Sequence, residues 1–435
     1  MKTVKFGGSS LATAAQFEKV GAILRQDPER CYVVASAPGK RFSGDIKVTD
    51  LLYCCYDLAL QGQDFTGPFT EIRARFDEII TRLRLDFSLE QDLNEIEARL
   101  REHPQRDFAA SRGEYLNSKV MAAYLDVPFL DAAECVFFTA EGAFDAERTN
   151  SVLGAKLKEL PRAVVPGFYG ALPDGSIRTF SRGGSDITGA IVARASQSDV
   201  YENWTDVSGM LVTDPRIVPD PRPIGVITYT ELRELAYMGA SVLHEDAIFP
   251  VKTAGIPINI RNTNRPQDPG TLIVPQAQEQ PEGSITGVAG RKGFTVLTIE
   301  KDQMNSEVGF GRKVLSALEE CGVNFEHMPS GIDTLSVVMA SAEFEPHRQE
   351  IVQKICSTVN PDAVSVEDAM AMIAVVGRGM VRRKGLAARL FTAIAEADVN
   401  LRMIDQGSSE LNIIIGVDEA DFEKAISAVY RAFCA

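Results

Sequence analysis

The chain has 435 residues, 45% hydrophobic and 24% charged, with 60 acidic against 45 basic side chains and a formal net charge of −15. That length exceeds a single hydrophobic core and predicts two or three domains of ordinary globular composition. The acidity excludes nucleic acid as a partner, and it repels small anions too unless cations and backbone N–H groups gather locally to receive them.

In chain order, Val4-Lys5-Phe6 reads as a short strand, Gly7-Gly8-Ser9-Ser10 as a turn, and residues 14–24 as a helix. A buried strand at 31–37 is followed by a polar loop at 38–47 and a helix from Thr49. Residues 69–100 read as charged amphipathic helices, an insertion or an edge hairpin. Strand patterns return at 163–165 and 200–207. Strands separated by helices predict an α/β fold with an open, mostly parallel sheet sandwiched by helices. The proline-rich stretch 213–223 reads as an ordered loop, and 275–283 as a linker. Beyond it, Leu318-Glu319-Glu320-Cys321-Gly322-Val323-Asn324-Phe325 is echoed by Ile394-Ala395-Glu396-Ala397-Asp398-Val399-Asn400-Leu401 with similar flanks. The repeat predicts two small ferredoxin-like βαββαβ units, each needing a shared sheet or interface. The expected domains are 1–280, 285–368 and 369–435, with a strand at 285–292 able to complete the last.

The seven cysteines are scattered, odd in number and without C-x-x-C, which predicts small buried hydrophobes in a reducing, cytoplasmic compartment. Lys2 and Lys5 sit in a strand pattern and not in a leader, and no apolar run approaches the length of a membrane span.

Four motifs carry candidate chemistry. Lys5-Phe6-Gly7-Gly8-Ser9-Ser10 lies between strand and helix; glycines admit a phosphate to the backbone and Lys5 supplies a point charge, or the segment is only a tight turn. Ser181-Arg182-Gly183-Gly184-Ser185-Asp186 opens a helix; Arg182 suits a carboxylate, while Asp186 is either functional or a partner of the helix dipole. Trp204-Thr205-Asp206-Val207-Ser208-Gly209, with Thr213-Asp214-Pro215-Arg216, ends a strand where α/β sheets hold ligands, or is a capped turn with a solvated arginine. Ser111-Arg112-Gly113-Glu114 reads as a helix start, its glutamate a helix-terminal acid or a ligand for an ammonium group. Neither a Walker A loop nor H-R-D occurs, and His244-Glu245 lacks the second histidine of a zinc helix. His244 itself reads as structural.

In combination and in this order, these motifs resemble the aspartate kinases of the amino acid kinase family, from Lys5 to the end of the chain, and the tandem C-terminal units resemble ACT domains. The resemblance implies transfer of the γ-phosphoryl group of ATP, with Mg²⁺ held mainly by the phosphates and no metal-ligating residues, to the side-chain carboxylate of L-aspartate. It implies that Lys5, Gly7, Gly8, Ser9, Thr205, Asp206, Asp214 and Arg216 bind ATP. Ser36, Thr49, Glu114, Arg182 and Ser185 would bind substrate, Arg182 at the α-carboxylate and Glu114 at the ammonium. Asp186 would orient Lys5, and Lys5, Asp186 and Arg182 would be catalytic. Met304, Glu307, Gly309, Phe310, Gly311, Glu326 and Ser330, with Gln406-Gly407-Ser408-Ser409-Glu410, match effector-binding elements. Lysine or threonine is the implied effector, and the ACT units the implied contacts of a homo-oligomer; a dimerisation platform without effector is the other reading of that module. Two positions depart from the family: Ser241 stands where a lysine is common, and Leu211 where a tyrosine is. Lys40, Arg41 and Lys47 in the loop at 38–47 either replace the missing charge or are solvated. The alternatives are an acetylglutamate or glutamate kinase of the same fold and a catalytically weak amino-acid sensor. A fused dehydrogenase is not expected.

Overall fold

The computed structural model describes residues 1–434 except 182, 241–242, 244–247 and 278–284. They fall into two compact units: Met1–Met210, Pro223–Tyr229 and Val242–Gln278 in one, Leu211–Arg222, Thr230–Ser241 and Glu279–Ala435 in the other.

In the first unit the strands are β1 (Lys2–Phe6), β2 (Arg30–Ala35), β3 (Ala163–Pro166), a hairpin of β4 (Tyr169–Ala171) and β5 (Ile177–Thr179), then β6 (Val200–Thr205), β7 (Val226–Thr228), β8 (Ile258–Asn262) and β9 (Thr271–Val274). All but the hairpin join one sheet ordered β3-β2-β1-β6-β8-β9-β7, parallel except where β8 meets β9. Its helices are α1 (Ala14–Gln26), α2 (Val48–Leu60), α3 (Thr66–Arg82), α4 (Glu90–Glu102), α5 (Arg106–Leu125), α6 (Ala146–Glu159) and α7 (Gly184–Ala195); α8 (Tyr229–Tyr237) belongs to the second unit from Thr230 on, and α9 (Phe249–Ala254) to the first. Strands β1 and β2 are buried along nearly their whole length, as expected of parallel strands covered by helices on both faces.

Residues 69–100 are not an edge feature. Helices α3 and α4 supply Phe69, Ile72, Phe76, Ile79, Leu93, Ile96 and Leu100 to the same core as Phe6, Phe17 and Trp204. Their outer faces are so charged that the inner stripe is diluted in the sequence. Ser111-Arg112-Gly113-Glu114 does not start a helix but lies inside the 20 residues of α5. Gly113 is there for proximity: a Cβ would come within 2.8 Å of the Ala37 methyl. The cysteines are less uniformly buried than expected; Cys55 and Cys135 are buried, Cys54 and Cys356 exposed and the rest half-buried, all with free thiols.

In the second unit β10 (Gly287–Glu300), α10 (Phe310–Glu319), β11 (Thr334–Ala340), α11 (Ser341–Phe344), α12 (Arg348–Val359), β12 (Ala363–Val376), α13 (Leu386–Glu396), β13 (Met403–Asp405), β14 (Asn412–Asp418) and α14 (Phe422–Cys434) form one antiparallel sheet ordered β11-β10-β12-β14-β13 with its helices. The two repeats share β10 and β12, each 14 residues long. Register shifts around Phe294 bend β10 where one repeat gives way to the next. Each repeat keeps its own core, one around Leu297, Phe310 and Ile351, the other around Ile373, Leu390 and Ile426. The loop at 211–222 belongs to this unit: the Val288 N–H donates to the Val212 carbonyl (2.7 Å), and the Arg222 N–H to the Tyr430 hydroxyl (2.9 Å). Part of the expected linker, 278–283, lies outside the described residues.

Candidate active site

Strand β1 places Lys5 beside Asn203 of β6, its register partner. Lys5 is buried, and its Nζ lies 2.6 Å from Asp186 Oδ1 in the first turn of α7. Asn203 Nδ2 donates to the same oxygen at 2.9 Å, and Asn203 Oδ1 lies 3.5 Å from the ammonium. Gly183, at φ 75, caps α7 in the left-handed region that glycine enters without cost. Alternation along β6 sends Glu202 and Trp204 the other way. The Trp204 indole N–H donates to Glu202 (2.8 Å), Arg30 pairs with the same carboxylate, and Arg30 and Arg261 flank the indole. Trp204, although part of a recognised motif, therefore serves the core.

After β1 the chain makes a single 3-10 turn, Gly8–Leu11, and α1 begins only after a Thr13 cap. The turn and the helix from Ala14 fall where the sequence places them, and the donors nearest Lys5 are the orphan N–H groups of the short turn and not those of α1. A Cβ on Gly7 would sit 3.5 Å from Lys5 Nζ, and one on Gly8 2.9 Å from the Ala37 carbonyl. The Gly39 N–H donates to the Gly8 carbonyl (2.8 Å), so the turn after β1 and the loop after β2 are pressed together. Ser9 is exposed.

Glu114 is 6% exposed, with the Ala37 main chain and the Ser185 side chain close enough to oppose part of the effect of that burial on its carboxyl. Burial pushes its carboxyl up to about 8, against an ordinary 4.5. Its Oε2 has no hydrogen-bond partner. Asn117, one turn along α5 and fully buried, donates from Nδ2 to the Ser36 carbonyl at 2.6 Å. Consecutive residues of α7, Ser185 and Asp186, thus touch Glu114 and Lys5 respectively. Thr49 is half-buried in the first turn of α2. Asp45 anchors the loop at 38–47. Hydrogen bonds from Arg41, then the buried Arg75 guanidinium, hold its carboxyl far below the usual carboxylate range. Arg75 also donates to the Gly39 carbonyl. Lys40 and Lys47 are exposed, with no ion pair among the described residues.

Thr205 and Asp206 follow at the end of β6, the Thr205 hydroxyl donating to Asp206 (3.2 Å) and Asn262 to the Asp206 carbonyl (3.2 Å). Asp214 and Arg216 belong to the second unit, where they pair with each other at 2.6 Å. Leu211 begins that segment and is exposed. Arg182, Ser241 and His244 lie outside the described residues. Sequence reasoning missed Asn203 and Asn117; both are neutral amides outside any motif, and only strand register or helix pitch could have pointed to them. A cleft of about 870 Å³ lined by Asn150, Gly154, Arg194, Ser198 and Pro257 involves none of these residues.

A model of the amino acid kinase family matches residues 2–262, and one of an ACT domain residues 373–433. Aspartokinase 3 of Bacillus subtilis is 38% identical, with 100% of this chain and 99% of that protein covered. The chain belongs to the aspartokinases of the amino acid kinase family. The crystal structure of aspartate kinase from Clostridium acetobutylicum superposes over the whole of both chains with a TM-score of 0.94 at 50% identity. Escherichia coli aspartokinase III, solved with aspartate and ADP, shares the fold at a TM-score of 0.73 and 23% identity over 99% of each chain.

In this aspartokinase chain the expected effector residues lie in the first repeat of the second unit. Met304 and Phe310 are buried, and Gly309, at φ 81, caps α10. Glu307 pairs with Lys301 and Lys313, each at 2.6 Å. Glu326 pairs with Arg291 at 3.2 Å and accepts the Tyr237 hydroxyl. Gly311 lies by the Met328 methyl, and Ser330 bridges to Leu335. Residues 406–410 form the turn between β13 and β14.

Proposed function

We propose that the chain phosphorylates L-aspartate on its side-chain carboxylate, using ATP. The observation that carries this reading is the pairing of Lys5 with Asp186 under Gly7, joined through Ser185 to the buried Glu114. A carboxylate with an ordinary value of about 3.9 is already ionised at neutral pH, so the nucleophile needs no base. Its oxygen lone pair forms a bond to the γ-phosphorus while the bond from that phosphorus to the bridging oxygen breaks, the electrons leaving with ADP. The obstacle is repulsion between two anions, and Lys5 with the N–H groups of the glycine turn opposes it at the transferring group. Mg²⁺ spreads the phosphate charge when bound. The carboxylate nearest Lys5 is committed to that lysine, so the residues present suit an ion carried in by the nucleotide.

Glu114 faces the substrate ammonium, Ser36, Thr49 and Ser185 line the aspartate, and Arg182 holds its α-carboxylate. Gly8, Ser9, Thr205 and Asp206 serve the nucleotide. Residues 1–280 carry the chemistry and 285–435 sense an amino acid, lysine or threonine, through Met304, Glu307, Gly309, Phe310, Gly311, Glu326 and Ser330. The Clostridium acetobutylicum relative, at 50% identity, is described as allosteric, which supports this. Association through the ACT units and a cytoplasmic location complete the reading; free thiols support the latter.

The test is an ATP and Mg²⁺ assay in which acyl phosphate is trapped as hydroxamate, with aspartate, glutamate and acetylglutamate as acceptors, repeated with lysine, threonine or both. Aspartate alone should give product; product from another acceptor instead would overturn the reading.

A further inference from the structure

We propose that Asn203 is a positioning residue for phosphoryl transfer, a neutral amide that fixes the Asp186 carboxylate and shares its charge so that the Lys5 ammonium is aimed but not neutralised. This rests on the role given to Lys5 above.

The geometry is specific. Two alternate residues of β6 grip one residue of α7: the Tyr201 hydroxyl donates to the Asp186 main-chain carbonyl (3.1 Å), and Asn203 Nδ2 donates to its carboxylate (2.9 Å). Gly189 lets the helix lie against β6, since a Cβ there would come within 2.3 Å of the Tyr201 oxygen. The oxygen that Asn203 reaches, Asp186 Oδ1, is the one paired with Lys5 at 2.6 Å. An N–H donor on that atom withdraws charge from the ion pair. The opposite end of the amide offers a carbonyl toward the ammonium at 3.5 Å, long enough to guide without holding. Asn203 is 4% exposed, so the chain has committed a buried polar side chain to a place where an apolar one would pack as well.

The charge pattern explains why the residue is an amide. A second carboxylate at 203 would pin Lys5 between two negative charges and repel the nucleotide. An apolar residue would leave Asp186 able to swing and to bind Lys5 alone.

The test uses the full chain with Asn203→Leu, Asn203→Asp, Asp186→Asn and the double variant Asp186→Asn with Asn203→Asp, each checked for folding by circular dichroism beside the wild type. Asn203→Leu should lower kcat by about tenfold or more, the scale of losing one hydrogen bond to a charged group, with KM for ATP nearly unchanged. Asn203→Asp should also raise KM for ATP. The double variant restores one carboxylate and one amide around Lys5, and should recover kcat above both single variants. If Asn203→Leu does not fold, the isosteric Asn203→Asp and the double variant still decide. Unchanged kcat in a folded Asn203→Leu or Asn203→Asp chain, or a double variant no better than the singles, would overturn the proposal while a working wild type left the proposed function standing. A wild type without activity on aspartate would overturn both.

Discussion

The two units treat charge in opposite ways. In the first, Lys5, Asn203 and Glu114 are removed from water with the half-buried Asp186 beside them, and each has its place fixed by the backbone elements that meet there. In the second, Glu307 and Glu326 are only partly covered and hold partners on flexible side chains: Lys301 and Lys313 for one, Arg291 and Tyr237 for the other. Buried charges of the first kind are costly to rearrange and suit a site that must be ready before substrate arrives. Exchangeable pairs of the second kind cost little to break and suit a ligand that must displace something in order to signal.

The comparison is broken most sharply at Lys5. Lys5→Ala should lower kcat by about 10²-fold or more, the scale of losing one preorganised donor, with the fold intact by circular dichroism. Near-normal turnover would remove Lys5 from the chemistry.

Next is Glu114. Burial raises its folded value to about 8 from an ordinary 4.5, so it carries a proton at pH 7 in the empty site. Its contribution to stability is therefore fully present below about pH 4.5 and is lost as pH rises through about 8. An ammonium group placed against it favours the carboxylate, so aspartate binding should release close to one proton near pH 7 and little well below or well above that window. Calorimetry in buffers of different ionisation enthalpy measures this directly. Glu114→Gln should abolish the release and raise KM for aspartate; a proton release that survived it would have to come from elsewhere.

A smaller effect is expected at Tyr237, which donates to Glu326. If an amino-acid effector must take Glu326 from its partners, Tyr237→Phe removes one competitor, and the half-inhibiting concentration of the effector should fall by about tenfold, the scale of one hydrogen bond to a charged group. An unchanged value would separate Glu326 from effector binding. The smallest effect belongs to Lys47. Exposed and unpaired among the described residues, it can offer ATP only a screened charge, so Lys47→Ala should raise KM for ATP modestly; an unchanged KM would assign it to solvent.

The alternation of strand and helix, the repeat and the glycine-flanked cations were all legible in the sequence, because each is a local pattern. What escaped depended on contacts between distant segments. The stretch around Gly113 resembled a helix start because glycine, arginine and glutamate often open one; that the glycine is there to let α5 approach Ala37 is visible only in three dimensions. Asn203 sits between Glu202 and Trp204 in a buried strand and looks like an interruption until β1 is laid beside β6. The loop at 211–222 reads as part of the kinase-like sequence, yet its hydrogen bonds go to Val288 and Tyr430. The charged faces of α3 and α4 concealed helices that fill a core.

A crystal structure with aspartate and a non-hydrolysable ATP analogue tests the central claim most directly. The account predicts the terminal phosphoryl group within hydrogen-bond reach of Lys5 Nζ and the aspartate ammonium against Glu114. A nucleotide whose terminal phosphate lies away from Lys5, with Asp186 and Asn203 still closed on the lysine, would contradict it.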